Sequence, residues 1–148
     1  VTGPSKEIVY QGAAQTQQVF SADVMADLTY ALKSVVNGGT GGAALALGRP
    51  AAGKTGTSQQ NASAWFSAYT PQLAASVAFF RDSASESLNG IGGLTSVTGG
   101  SFPARIWTAF MKGALKGQPV MSFPAPTNIG GLEPLVMTSG GIQTMKTN

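Results

Sequence analysis

Apolar residues recur at helical spacing early in the chain: Val24, Leu28, Ala31, Leu32 and Val35 share a face, predicting a helix from Ser21. Ser21 is placed as its N-cap, and Asp23 sits in the first turn, where the helix dipole favours negative charge. Phe20, just before the cap, is placed to staple onto Met25. Asn37-Gly38-Gly39 ends the helix, because glycine enters the left-handed region at little cost. Residues 8–20 before it read as an extended or irregular entry, and the glycine-rich residues 37–53 after it as a loop. Three strands are expected over 52–60, 62–70 and 73–81, with Thr70-Pro71-Gln72 as a turn; such short connections make antiparallel neighbours. Trp65, Phe66 and Tyr69 in the second strand are assigned to the core. A Ser/Gly-rich loop follows over 83–101. Pro103 then opens a second helix whose apolar face holds Ile106, Trp107, Phe110, Met111, Ala114 and Leu115, with Gly117 as its stop.

The order helix, three antiparallel strands, helix predicts an α+β fold: an antiparallel β-sheet flanked by helices. Residues 1–117 carry this pattern. Residues 118–148 hold four of the eight prolines and little periodicity, and read as a Pro/Gly-rich C-terminal extension.

Composition narrows the chemistry. The chain of 148 residues contains neither cysteine nor histidine, which excludes thiolate and imidazole nucleophiles, bases and metal ligands. Any nucleophilic chemistry needs a lysine or a carboxylate as base. Charged residues are only 10%, and the net charge of +3 comes from scattered lysines without interleaved aromatics, so no nucleic-acid partner is expected. Asp23 and Asp27 share a helix face but no third ligand joins them, so a solvated face is expected rather than a metal site; Arg49 and Arg81 are placed on the surface. No cofactor is implied. No apolar run approaches the ~20 residues of a membrane span, and Val1-Thr2-Gly3-Pro4-Ser5-Lys6 reads as a cut inside a longer protein.

One segment carries chemistry, Gly48 to Thr57, and its letters fit two signatures. Gly48, Gly53, Lys54 and Thr55 fit the phosphate-cradling pattern G-x-x-x-x-G-K-[ST] of a P-loop nucleotide-binding protein. That motif needs a helix starting at the lysine, so that its amides face phosphate. The residues that follow, Gly56 to Asn61, have no helical spacing and lead into an aromatic strand. The second signature is Lys-Thr-Gly on a strand, one of three motifs of penicillin-binding proteins and class A β-lactamases. On a strand, Thr55 and Thr57 point to one face and Lys54 to the other. Hydroxyl donors beside an ammonium suit a carboxylate. Gly56 leaves room for a peptide to lie close, and a strand edge offers free backbone amides.

The second reading extends beyond three letters. GKTGTSQQNASAWFSAYTP resembles the GKTGTT…DAWFVGYTP stretch of bifunctional (class A) penicillin-binding proteins; VVNGGTG before it and PARIWTAFMKGAL after it resemble the segments flanking that stretch. The resemblance covers about residues 19–126 and is similar to cell-wall synthases of Gram-positive type. Ser63, Ala68 and Phe79–Arg81 depart from the usual aspartate, glycine and Trp-Val-Gly, outside the Lys-Thr-Gly strand.

What the resemblance implies is a serine D,D-transpeptidase that cross-links peptidoglycan stem peptides through an acyl-enzyme and is acylated by β-lactam antibiotics. It implies Lys54 and Thr57 as catalytic residues and Thr55, Gly56 and Thr57 as substrate-binding residues, with the Thr57 amide donating to the oxyanion. It also implies an extracytoplasmic location, with the anchor outside this chain. The nucleophile's motif, S-x-x-K, is absent: no serine has a lysine three residues on. Ser87-Leu88-Asn89 fits the third motif, Ser-x-Asn, but follows the Lys-Thr-Gly strand, where the family has it before, and reads as a turn. The expected partner is therefore an N-terminal portion of the same protein carrying S-x-x-K and Ser-x-Asn, the fragment alone being inactive. A non-catalytic envelope domain of the same fold is the other alternative.

Overall fold

The computed structural model describes residues 2–13, 17–83 and 85–128, and the backbone of strands 135–138 and 141–144. Of the expected extension 118–148, residues 129–134, 139–140 and 145–148 lie outside the described residues. Helix α1 spans Ala22–Asn37 and helix α2 Phe102–Ala114. Between them run β1 (Ala52–Thr57), β2 (Ser63–Tyr69) and β3 (Ala74–Phe80), an antiparallel sheet in the order β1-β2-β3. The α+β expectation holds. Two further strands, β4 (Leu135–Thr138) and β5 (Gly141–Thr144), pair antiparallel with each other.

The core forms where β2 meets α2. Ala64, Phe66 and Ala68 alternate inward along β2, as a half-buried strand requires. Phe66 packs edge-on to Trp107 of α2, with centroids 5.4 Å apart at 88°. The buried indole N–H is shared between the carbonyls of Ala68 (3.2 Å) and Ala75 (3.1 Å), which ties α2 to β2 and β3. Val36, Ala44, Leu47, Met111 and Leu115 complete this cluster. A smaller one joins Ala64 to Leu88 and Val97.

Several sequence expectations need correction. The loop at 37–53 contains a 3₁₀ helix, Gly42–Leu47, because Ala44 and Leu47 are drawn into the core. β1 stops at Thr57, since Gln60 and Asn61 take positive φ in the turn to β2. Ser21 does cap α1, accepting the Val24 amide at 3.3 Å. The buried stripe of α1 is Ala26, Thr29 and Val36, whereas Val24 and Leu28 are exposed. Small residues let the helix lie close to β1, and the Thr29 hydroxyl meets that of Tyr69 at 3.0 Å. Phe20 and Met25 are both exposed. Gly38 ends α1 at φ −156°, not in the left-handed region; Gly39 is required instead by close approach, since a Cβ there would stand 2.9 Å from the Val35 Cα. Trp65 (45% exposed) and Phe110 (54%) are not core residues, because each lies on the outer side of an element whose other side packs.

Arg49 is not a free surface residue. Its guanidinium donates to the carbonyls of Leu115, Gln118 and Pro119 at 3.3–3.4 Å, and Gln72 also donates to Pro119 at 2.9 Å. Asp27 is likewise engaged: its carboxylate accepts the amides of Thr127 (2.6 Å) and Asn128 (2.9 Å). Phe123 stacks edge-on against Tyr69 at 5.5 Å. Residues 118–128 thus run as a strap held at both ends.

Candidate active site at the open edge of the sheet

Lys54, Thr55, Gly56 and Thr57 lie in the second half of β1. Among the described residues no strand pairs with the other edge of β1. The cross-strand register puts Thr55 opposite Phe66 and Thr57 opposite Ala64, so both hydroxyls share the face that carries α2. Lys54 faces Ser67 and Gly56 faces Trp65, on the opposite side. The expected division between threonines and lysine is therefore present.

The ladder also fixes where the strand's amides point. The Ser58 amide donates to the Ser63 carbonyl at 2.9 Å. Antiparallel ladders alternate, so Gly56 and Lys54 turn their amides toward β2 while Thr57 and Thr55 turn theirs to the open edge. Residues 53–57 are extended, and no helix begins at Lys54. The phosphate-loop geometry, which needs helical amides converging there, is not formed.

The lysine ammonium donates to the Thr55 carbonyl at 3.0 Å and is exposed. Beside it runs an apolar groove of about 430 Å³, lined among others by Leu32, Gly53, Lys54, Ser67 and Tyr69. Neither Thr55 nor Thr57 lines it, as expected from their opposite face.

Three residues that the pattern does not single out join the threonines. The Thr55 and Thr40 hydroxyls are 2.5 Å apart. Thr57 Oγ1 accepts the Gly99 amide at 3.2 Å. Gly99 lies flat over the Gly56–Trp65 pair: a Cβ there would stand 2.2 Å from the Trp65 carbonyl oxygen and 2.8 Å from that of Gly56. Gly100 is as tight against Thr40, whose carbonyl oxygen would be 2.0 Å from its Cβ. The sequence signals were the VVNGGTG segment, which contains Thr40, and a doubled glycine before a helix. Ser87-Leu88-Asn89 is used locally: Leu88 is buried, Ser87 Oγ accepts the Asn89 amide at 3.2 Å, and Asn89 accepts from Asn61 at 2.8 Å.

Comparison with known proteins bears on the chain as a whole. The model of the penicillin binding protein transpeptidase domain matches residues 6–90. Penicillin-binding protein 1A of Mycolicibacterium smegmatis is 39% identical over 112 residues, 72% of this chain and 14% of that protein. Penicillin-binding protein 2D of Bacillus subtilis is 32% identical over 140 residues, 89% of this chain and 19% of that protein. The structure of PonA1 from Mycobacterium tuberculosis in complex with penicillin V superposes with a TM-score of 0.66 at 38% identity, covering 74% of this chain and 30% of that one. The chain thus spans about one seventh to one fifth of these curated relatives' length.

Proposed function

The chain belongs to the penicillin-binding protein transpeptidase family, and we propose that it supplies the Lys-Thr-Gly wall of a serine D,D-transpeptidase site whose nucleophile lies outside it. The nucleophilic serine would attack the carbonyl of a D-Ala-D-Ala stem peptide, with release of D-alanine, and the acyl-enzyme would pass to an amine of a second stem peptide. β-Lactams would acylate the same serine and stay. The complex of the PonA1 relative with penicillin V supports this class of ligand.

The observation that carries the reading is the open β1 edge, where within three residues two outward amides flank Gly56, with no side chain between them, and two threonine hydroxyls lie on one adjoining face. Thr55 and Thr57 bind the substrate carboxylate in this reading. The Thr57 amide is one oxyanion donor, a contact worth about 2.7–4 kcal/mol in the transition state. Gly56 lets the peptide approach, and the Lys54 ammonium, exposed and free to swing from the Thr55 carbonyl, supplies positive charge toward the missing Ser-x-Asn serine. The partner is an N-terminal portion of the same polypeptide, carrying S-x-x-K. We place the site on the outer face of the bacterial membrane with its anchor elsewhere; among the described residues no helix is long and apolar enough to cross a membrane.

Fluorescent penicillin tests the assignment. The full-length polypeptide should be labelled covalently, also on intact cells, and this chain alone should not. Labelling of the isolated chain would place the nucleophile within it. An unlabelled full-length protein would favour the non-catalytic envelope domain.

A further inference from the structure

Resting on the transpeptidase reading, the geometry points to Thr40 and the Gly99–Gly100 turn as positioning residues that aim the Thr55 and Thr57 hydroxyl protons at the substrate carboxylate. A hydroxyl has one proton to donate and two lone pairs to accept with. Thr57 Oγ1 accepts the Gly99 amide, which can only donate, so the Thr57 proton remains available for another acceptor. Thr55 shares a short bond with Thr40, in which either oxygen can hold the proton. A carboxylate only accepts. When it binds, Thr55 donates outward, and the one arrangement that keeps every bond has Thr40 donating to Thr55. The relay Thr40 to Thr55 to carboxylate then polarises each bond in turn.

Both supports are fastened to the core. Thr40 follows the end of α1, where the Gly41 amide donates to the Val35 carbonyl at 2.8 Å, and it is backed by Gly100. The Gly99 carbonyl accepts the Ala104 amide at 3.2 Å in the first turn of α2. Ser101 Oγ closes the turn, accepting the Thr98 amide at 3.0 Å and donating to the Thr98 carbonyl at 2.7 Å. Burial of α2 through Trp107 thereby fixes the Thr57 hydroxyl.

The test compares acylation of the full-length polypeptide by benzylpenicillin and by its methyl ester, which lacks the carboxylate charge. In Thr40→Val the second-order rate with the acid should fall roughly tenfold, the lower end of what a hydrogen bond serving a charged group is worth. The ester rate should hold, so the acid-to-ester ratio falls, and Thr40→Ser should restore it. A folding defect lowers both rates together and leaves the ratio alone. If Thr40→Val does not fold, Thr40→Ala reads the same ratio. Where the wild-type protein is acylated, a Thr40→Val ratio equal to the wild type's, with or without a fall in both rates, overturns the positioning role and leaves the transpeptidase reading intact. A wild-type protein acylated by neither compound overturns that reading and the inference with it.

Discussion

Gly56→Ala separates access from stability at the proposed site. A Cβ on Gly56 would meet only the Trp65 Cβ, at 3.4 Å, an ordinary contact, and Gly56 is not among the glycines with positive φ. The strand should accept alanine, and replacing a mid-strand glycine contributes about 0.5–1 kcal/mol of stability. Gly53 and Gly99 are the controls. A Cβ on Gly53 would stand 2.4 Å from the Ala68 Cβ and 2.6 Å from the Ser67 carbonyl, and one on Gly99 would stand 2.2 Å from the Trp65 carbonyl. Those neighbours are backbone or short side chains and cannot swing aside, so each alanine should cost about 1–3 kcal/mol, the usual cost of overpacking. At Gly56 the added methyl occupies the space through which a peptide would approach. Penicillin acylation of full-length Gly56→Ala should therefore fall at least about tenfold, one lost contact to a charged or reacting group. Two assays decide: the second-order rate of fluorescent-penicillin labelling, and the urea midpoint at which labelling capacity is lost. Gly53→Ala and Gly99→Ala should lower the midpoint, whereas Gly56→Ala should hold or slightly raise it and lower the rate. A Gly56→Ala protein that labels at the wild-type rate would refute the claim that ligand lies against this strand.

Three further outcomes are expected on the same assays. Thr57→Val removes the proposed carboxylate donor and orphans the Gly99 amide, so labelling should slow about 10- to 100-fold, more than the urea midpoint alone explains. Arg49→Met cuts the guanidinium contacts to the Leu115, Gln118 and Pro119 carbonyls and should cost about 1–2 kcal/mol, with the labelling rate of the folded protein unchanged. Trp107→Phe keeps most of the apolar contact with Phe66 but deletes the N–H shared by Ala68 and Ala75, and should cost about 2 kcal/mol as a lowered midpoint.

The elements were legible because their periodicities are local. Ser21 capping, the β2 alternation and the Pro103 helix start each depend on neighbours within a few residues. Which apolar stripe packs was less legible. On α1 both Val24/Leu28 and Ala26/Val36 offer an apolar side, and only the tertiary fit at Thr29 and Tyr69 selects the second. Phe110 and Trp65 were misplaced for the same reason: size suggests burial, but the far side of a packed element stays open. Arg49 and Asp27 were read as solvated because their partners are backbone groups 66 or more residues away, which no side-chain pattern encodes.

The Lys-Thr-Gly strand itself was readable, since its letters are contiguous, but its supports were not. Thr40 is 15 residues from Thr55, and Gly99 is 42 from Thr57. Glycine explains why the Gly99–Gly100 support carries no side-chain signature. At Gly99 and Gly100 it lets backbone touch backbone, so the amide that meets Thr57 Oγ1 comes from the main chain and could belong to any residue by letter. At Gly56, one strand position between the two threonines, an added Cβ would meet only the Trp65 Cβ, at the ordinary contact distance of 3.4 Å. The same residue type thus packs tightly at Gly99 and leaves room for a side chain at Gly56. Composition records both alike as glycine, and only the distance to the nearest neighbouring atom, 2.2 Å against 3.4 Å, tells a glycine that packing requires from one that could carry a side chain.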